Sequence, residues 1–156
     1  MKKTILLLGY VFLGLILLGI VGTASVYMLG QRLDRESHLY ADAAVQAIVS
    51  DWDIRELRKR ASPELDSSLD WDEAEQYFKE LRQLGKLVVY KGATGESTIT
   101  ISARYLYEIT ADYTAEVEYE TGSMQIQVTL IKHGKQWQIL DFWVNPEEFS
   151  ERSDVI

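Results

Sequence analysis

The chain contains no cysteine and only two prolines among its 156 residues. The absence of cysteine excludes disulfide bonds, thiolate zinc sites and a cysteine-linked lipid anchor. It indicates no compartment, because a domain with a well-packed core needs no disulfide in any location. The sequence also lacks a phosphate-binding loop, a Gly-x-Ser-x-Gly nucleophile motif and the spacing of metal ligands. We therefore expect no enzyme activity, no catalytic residue, no cofactor and no metal site.

Basic residues are scarce after the first 31 positions. Residues 1–31 contain Lys2, Lys3 and no acid, whereas residues 32–156 contain 14 basic and 24 acidic residues, a net charge of −10. An acidic domain argues against nucleic acid as a partner and against lying flat on anionic lipid. A solubilising surface charge is the simpler explanation, and an acidic docking surface is the alternative.

A long uncharged segment runs from Thr4 to Gln31. It exceeds the ~20 apolar residues that a membrane-spanning helix needs. Two interpretations compete, a cleaved signal peptide and a retained signal anchor. The apolar run before the candidate cleavage site at 22–24 is longer than the ~7–15 residues of a typical signal peptide, so the sequence predicts retention.

The predicted organisation is a transmembrane signal anchor at 1–31, an extracytoplasmic α+β domain at 32–148 and an acidic tail at 149–156. Lys2 and Lys3 precede the apolar segment, which favours an N-terminus in the cytoplasm and a domain outside. The expected location is the bacterial inner (cytoplasmic) membrane, crossed once, with the domain in the periplasm or outside the cell.

Helices are predicted for the first half of the domain. The anchor continues as helix to Ser50, Asp53 caps a short helix at 54–61, Pro63 starts a further turn, and Asp70 caps a helix at 71–84. His38 is interpreted as a solvated histidine rather than a metal ligand or pH switch. One helix face is basic and is either simply solvated or a surface for an acidic partner or lipid headgroups; its residues are Arg55, Arg58, Lys59 and Arg60.

Strands are predicted for the second half. Residues 86–91 form a strand, and 92–95 form a turn. Apolar side chains then occupy every odd position from Ile99 to Tyr119, a run of ~70 Å that must break near 102–104 or 110–112. Two hairpins follow, with turns at 121–123 and 133–134 and a last strand at 137–144. The fold prediction is α+β, with helices packed on a curved antiparallel sheet of four to five strands.

The last strand has two apolar phases. Trp137 and Ile139 define one, and Leu140, Phe142 and Val144 define the other. The second phase is more hydrophobic at the strand's end, which favours an exposed Asp141, although a β-bulge would change the assignment.

The segment IKHGKQWQILDF at 131–142 resembles the closing hairpin of the NTF2-like, or cystatin-like, superfamily. Trp52-Asp53 and the segment ASPEL at 61–65 also look like small bacterial membrane-anchored members of that superfamily with no assigned function. The resemblance covers about residues 36–146 and implies a curved sheet wrapped by helices around a cavity. One span followed by such a domain also resembles the inner-membrane scaffold subunits of type IV secretion.

The resemblance implies a non-catalytic binding or scaffolding module of the cell envelope, acting as a homo-oligomer or within a protein complex. The alternative is small-ligand binding, or a lyase or isomerase, in the cavity. Aromatic candidates either line that cavity or fill the core: Trp52, Phe78, Tyr105, Tyr107, Tyr113 and Trp137. Three carboxylates on one strand are expected to face water or a basic partner: Glu116, Glu118 and Glu120.

Overall fold

A computed structural model describes residues 2–100 and 107–145, and within the first helix it describes the side chains of residues 14–22, 28 and 30 onward. The chain divides into two compact units, Met1–Leu33 and Asp34–Ile156. Helix α1 spans Lys2–Val49. No helix within the described residues is long and apolar enough to cross a membrane.

Three short helices follow, each begun by a side-chain cap. They are α2 (Ile54–Arg60), α3 (Pro63–Ser68) and α4 (Trp71–Leu81), and a 3-10 turn at Arg82–Leu84 extends the last. The side chains of Asp53, Ser62 and Asp70 accept hydrogen bonds from main-chain amides of the first turns, which would otherwise lack partners. The predicted helix starts at Asp53 and Asp70 are confirmed.

The second half forms one antiparallel meander in the order β1-β2-β3-β4. Its strands are β1 (Leu87–Thr100), β2 (Glu108–Tyr119), β3 (Gly122–His133) and β4 (Gln136–Asn145). Helices first and an antiparallel sheet second confirm the α+β class. The hairpin turns at 120–121 and 134–135 lie where the sequence predicts them, within one or two residues.

The turn predicted at 92–95 is wrong, because β1 continues through it. The register shifts between Tyr90 and Ala93, so Gly92 lies within a β-bulge with φ of +88° rather than in a turn. Gly95 is required for another reason: a Cβ there would lie 1.9 Å from the carbonyl oxygen of Asp112 on β2. The long run of alternating apolar residues is divided between β1, which ends at Thr100, and β2, which begins at Glu108. The first predicted break, at 102–104, lies outside the described residues. The alternative break, at 110–112, lies inside β2 and is wrong.

Strand β4 uses both of its apolar phases. Thr129 pairs with Asp141 and Leu130 pairs with Ile139, so Leu140 is an extra residue in a β-bulge. The bulge reverses the alternation, and Ile139 and Val144 are therefore both buried although they are five positions apart. Asp141 is exposed, as predicted.

The core lies on one face of the sheet. Side chains from α1, α2, β2 and β3 are almost fully buried there, and they include Val45, Ile48, Val49, Leu57, Ala111, Ala115, Val117, Met124, Ile126, Val128 and Leu130. Burying a Val, Leu, Ile or Met side chain stabilises the fold by about 1.5–3 kcal/mol. This apolar layer fixes the positions of the short helices against β4.

Trp52 joins the helical half to the sheet. Its ring stacks on Tyr119 at a centroid distance of 5.8 Å and meets Phe78 of α4 edge-on at 5.4 Å. Its main chain has φ of +48°, which is rare for a bulky residue and reverses the chain between α1 and α2. The Arg82 guanidinium donates to the Trp52 carbonyl oxygen at 3.2 Å, so the reversal is anchored to the end of α4.

Candidate functional site

A cleft of about 380 Å³ opens between α4 and the end of β4. Its walls are mainly apolar and aromatic, a composition typical of binding sites in proteins. The lining residues are Leu57, Leu69, Asp70, Glu73, Ala74, Tyr77, Phe78, Phe142, Trp143 and Val144. Tyr77 is 39% exposed, so part of its aromatic surface at the cleft is open to contact.

The β4 bulge creates one wall of this cleft. By adding Leu140, it turns Phe142 and Val144 toward the helices. Phe142 then lies against Phe78 of α4, with ring centroids 6.3 Å apart. Burial raises the pKa of the Tyr77 hydroxyl, and the nearby Glu80 carboxylate raises it further. A phenol is neutral at ordinary pH in any case, and the raised pKa extends that neutral range upward.

Acidic side chains border the cleft. Asp70 and Glu73 line it, and the described lining includes no basic residue. Asp70 is held in place by its role as the cap of α4, since its Oδ1 accepts from the amides of Asp72 and Glu73 at 3.0 and 3.1 Å. The Glu73 carboxylate is exposed on the first turn of the same helix.

The cleft adjoins an edge of the sheet, because β4 is the last strand in the sheet order of the described residues. Part of this edge is covered. Ala61 forms a parallel bridge with Ile139, and the Ser62 amide donates to the Ile139 carbonyl oxygen at 2.8 Å. Beyond the bulge, the Phe142 amide donates to the carboxylate of the neighbouring Asp141 at 2.9 Å.

The predicted cavity residues do not share one site. Trp52 and Phe78 pack together and Phe78 also borders the cleft, but Tyr113 is buried near α1 and Trp137 is buried beside Lys132. Tyr107 is 67% exposed at a different place, and Tyr105 lies outside the described residues. The alternative that most of these aromatic side chains fill the core describes their packing better.

Three of the four basic residues of α2 lie beside a carboxylate or an aromatic ring. Arg55 pairs with Asp53 at 2.9 Å, and Arg60 pairs with Glu56. Arg58 lies 5.1 Å over the Trp71 ring. The hydrogen bond from Arg55 lowers the pKa of the Asp53 carboxyl, and the one from Arg60 lowers the pKa of the Glu56 carboxyl. Lys59 instead borders a second depression, of about 560 Å³, together with Arg60 and Lys135. Its lining is rich in charged and amide side chains, in contrast to the α4–β4 cleft.

The three carboxylates on β2 and its turn are engaged to different degrees. Glu116 pairs with Lys91 of β1 at 3.1 Å, and Glu120 accepts from the Lys86 amide at 3.1 Å. Glu118 is half-buried opposite Val89. Glu116 and Glu120 are exposed on a sheet face whose other side carries the core.

A polar ladder between α1 and β1 escapes the sequence analysis. Asp34 accepts from the Ser97 amide at 2.8 Å, Asp42 accepts from the Ala93 amide at 2.8 Å, and His38 Nε2 lies 2.9 Å from the Ala93 carbonyl oxygen. His38 is partly solvated, with 45% of its side chain exposed, and it also contacts β1. The signal was present, since Asp34, His38 and Asp42 are spaced by four residues and share one helix face.

Metal binding has no support among the described residues, which include no group of three or more His, Asp or Glu side chains placed to hold an ion. The α4–β4 cleft, with its mainly apolar lining, is therefore taken as the candidate binding site. Comparison with protein-family models, with curated proteins and with solved structures finds no match for this chain.

Proposed function

We propose that this chain is a membrane-anchored, non-catalytic binding module of the cell envelope, and that its binding site is the α4–β4 cleft. The observation that carries the proposal is the cleft itself, with Tyr77 exposed beside the inward-facing Phe78 and Phe142. Exposed aromatic side chains around an apolar hollow are typical of surfaces that bury a partner.

The membrane anchor is proposed from the sequence. No charged residue occurs between Thr4 and Gln31. In the described part of this segment, large apolar side chains face outward, with Leu15, Leu18 and Val21 each more than 60% exposed. Such a surface needs lipid or protein to cover it. Lys2 and Lys3 favour a cytoplasmic N-terminus and an extracytoplasmic domain.

The NTF2-like assignment is likewise a proposal. The segment at 131–142, which includes the β3–β4 turn, carries the resemblance, and an antiparallel meander preceded by helices is compatible with it. Fold analogy does not identify a function, so the binding role rests on the cleft alone.

A second candidate function is the binding of a small apolar molecule, because about 380 Å³ lies within the usual range of ligand pockets. The two candidates differ in what stays attached to the protein. A module that binds another protein retains a protein partner after mild extraction, whereas a ligand carrier retains a small molecule that solvent extraction releases.

The test is co-purification of tagged full-length protein from its own membranes, with Tyr77→Arg as the cleft variant. Tyr107→Arg is the matched control, since Tyr107 is an exposed tyrosine outside the cleft. We expect one partner to be retained by the wild type and by Tyr107→Arg and to be reduced at least about tenfold by Tyr77→Arg. Equal recovery from all three would contradict the proposal, and mass spectrometry of a solvent extract tests for a small molecule.

A further inference from the structure

We infer that the cleft binds an extended, basic segment of a partner protein, which adds to the sheet as a strand along β4 at residues 142–144. The inference rests on the proposed function and specifies its ligand. It combines three features of the cleft: an edge strand, an apolar lining at strand spacing and an acidic border.

The edge already accepts an extended chain at its other end. Residues 61–62 pair with Ile139 in parallel, and the Ile139 carbonyl group points away from β3 to do so. After the bulge at Leu140, Asp141 pairs with Thr129 of β3. Because hydrogen-bonding groups alternate along a strand, the main-chain N–H and C=O groups of Phe142 and Val144 then point away from β3. No described strand pairs with β4 on this side. The Phe142 amide now donates to the Asp141 carboxylate, and a main-chain carbonyl oxygen of a partner strand would replace that acceptor. A partner strand can then continue the pairing that the 61–62 segment begins.

The lining matches the spacing of such a strand. Alternate side chains of a β-strand lie ~7 Å apart on one face. Phe142 and Val144 are two positions apart on β4, and Leu57 and Tyr77 form the opposite wall. An added strand would direct alternate apolar side chains between these walls, while its other side chains face solvent.

Charge selects the partner. Asp70 and Glu73 border the cleft, and the exposed Asp141 carboxylate lies at the edge itself, on the Phe142 amide. The domain as a whole is acidic, with a net charge of −10 over residues 32–156. A segment with Lys or Arg beside its apolar residues complements this border, and long-range attraction would speed its association.

The same charges disfavour two occupants from this chain. Residues 146–156 contain four acids and a single basic residue, Arg152. The chain's own C-terminal segment is therefore negatively charged, like the acidic border of the cleft. A second copy of the domain is equally acidic. Both are expected to be repelled, and a basic partner is attracted.

Three synthetic peptides test the inference on full-length protein in lipid nanodiscs. The first alternates Val with Thr and Lys, the second replaces Lys with Glu, and the third carries N-methyl groups on the amides that would face β4. We expect the Lys peptide to bind most tightly, and both changes to weaken binding at least about tenfold. Glu73→Gln should reduce the difference in affinity between the Lys peptide and the Glu peptide.

The outcomes separate the inference from the proposed function. If N-methylation has no effect but Tyr77→Arg abolishes peptide binding, strand addition is overturned and the cleft remains the binding site. If Tyr77→Arg has no effect, both are overturned. If removal of residues 146–156 raises the affinity for the Lys peptide about tenfold, the chain's own C-terminal segment is the occupant of the cleft, and the inference fails. Dimers that Tyr77→Arg dissociates would identify a second copy instead and would also overturn it.

Discussion

Asp42 and Ala93 are joined by a hydrogen bond of 2.8 Å, in which the Ala93 amide donates to Oδ1 of the carboxylate. The same oxygen accepts from the Tyr90 hydroxyl at 2.8 Å. Eight positions earlier on α1, Asp34 accepts from the Ser97 amide. Eight helical residues rise ~12 Å and four strand residues ~13 Å, so the carboxylate spacing matches the strand. Helix α1 thus satisfies amides of β1 at one edge of the sheet, while at the other edge residues 61–62 cover β4 only at Ile139.

Removing the Asp42 carboxylate should destabilise the domain. In Asp42→Ala, the Ala93 amide and the Tyr90 hydroxyl both lose a charged acceptor, and we expect a loss of about 2–3 kcal/mol in the free energy of unfolding. The measurement is a urea melt of the full chain in detergent. Asp51→Ala is the control, since Asp51 is exposed and should change stability by less than about 0.5 kcal/mol. Equal effects of the two changes would show that the ladder contributes nothing.

The two tryptophans of β4 should differ strongly. Trp137 is 7% exposed and Trp143 is 63% exposed. Trp137→Ala should therefore cost about 3–5 kcal/mol of stability. Trp143→Ala should cost less than about 1 kcal/mol, because little of its surface is buried on folding. Chemical denaturation of both variants measures the difference. A small loss for Trp137→Ala would mean that β4 faces the other way.

Stability should fall at alkaline pH. Burial raises the pKa of Tyr119, and burial together with the hydrogen bond to Asp42 raises the pKa of Tyr90. An unfolded tyrosine ionises near pH ~10, while these two keep their protons in the folded state. The contribution of the two tyrosines to stability is therefore complete below pH ~10. It is lost as the pH rises above that value, because the unfolded state then binds fewer protons than the folded state.

Urea melts between neutral and strongly alkaline pH measure this loss. Tyr119→Phe should lower stability at neutral pH, because the hydroxyl donates to the Val49 carbonyl oxygen at 2.7 Å. It should also make the fall of the unfolding free energy with alkaline pH less steep, by an amount that corresponds to up to about one proton. A slope that is unchanged in both Tyr119→Phe and Tyr90→Phe would contradict the assignment.

The membrane anchor has a direct biochemical test. Carbonate washing strips peripheral proteins from membranes but leaves spanning ones, so we expect the full-length chain in the pellet. The physical reason is the uncharged segment from Thr4 to Gln31. Replacing Leu17 and Leu18 with Arg should move the protein to the supernatant or prevent its insertion. A soluble mature form that starts near Ser25 would instead identify a cleaved signal peptide.

The sequence predicts features that depend on local chemistry. Caps at Asp53 and Asp70 and the glycine of the hairpin at 133–134 identify element boundaries, because the amides or the turn they serve lie within a few residues. Prediction from the sequence fails where a strand deviates from the strict alternation of inward and outward side chains. Gly92 reads as a turn but is a bulge in β1, since pairing with β2 outweighs the local preference of glycine.

The cleft could not be predicted because it depends on one bulge. Without the extra residue Leu140, Ile139 and Val144 would face opposite sides of β4, and the aromatic wall at Phe142 would be lost. The polar ladder on α1 was missed for a different reason. Asp34, His38 and Asp42 resemble an ordinary solvated helix face until the neighbouring strand is known.

The most direct test of the central claim is photo-crosslinking of full-length protein in its native membranes. A benzophenone side chain replaces Tyr77 or Glu73 at the cleft, or Tyr107 away from it. The binding-module account predicts that the two cleft positions crosslink to the same partner protein, through a basic segment identified by peptide mapping, and that position 107 does not. The absence of an adduct at both cleft positions, or equal adducts at all three, would contradict it.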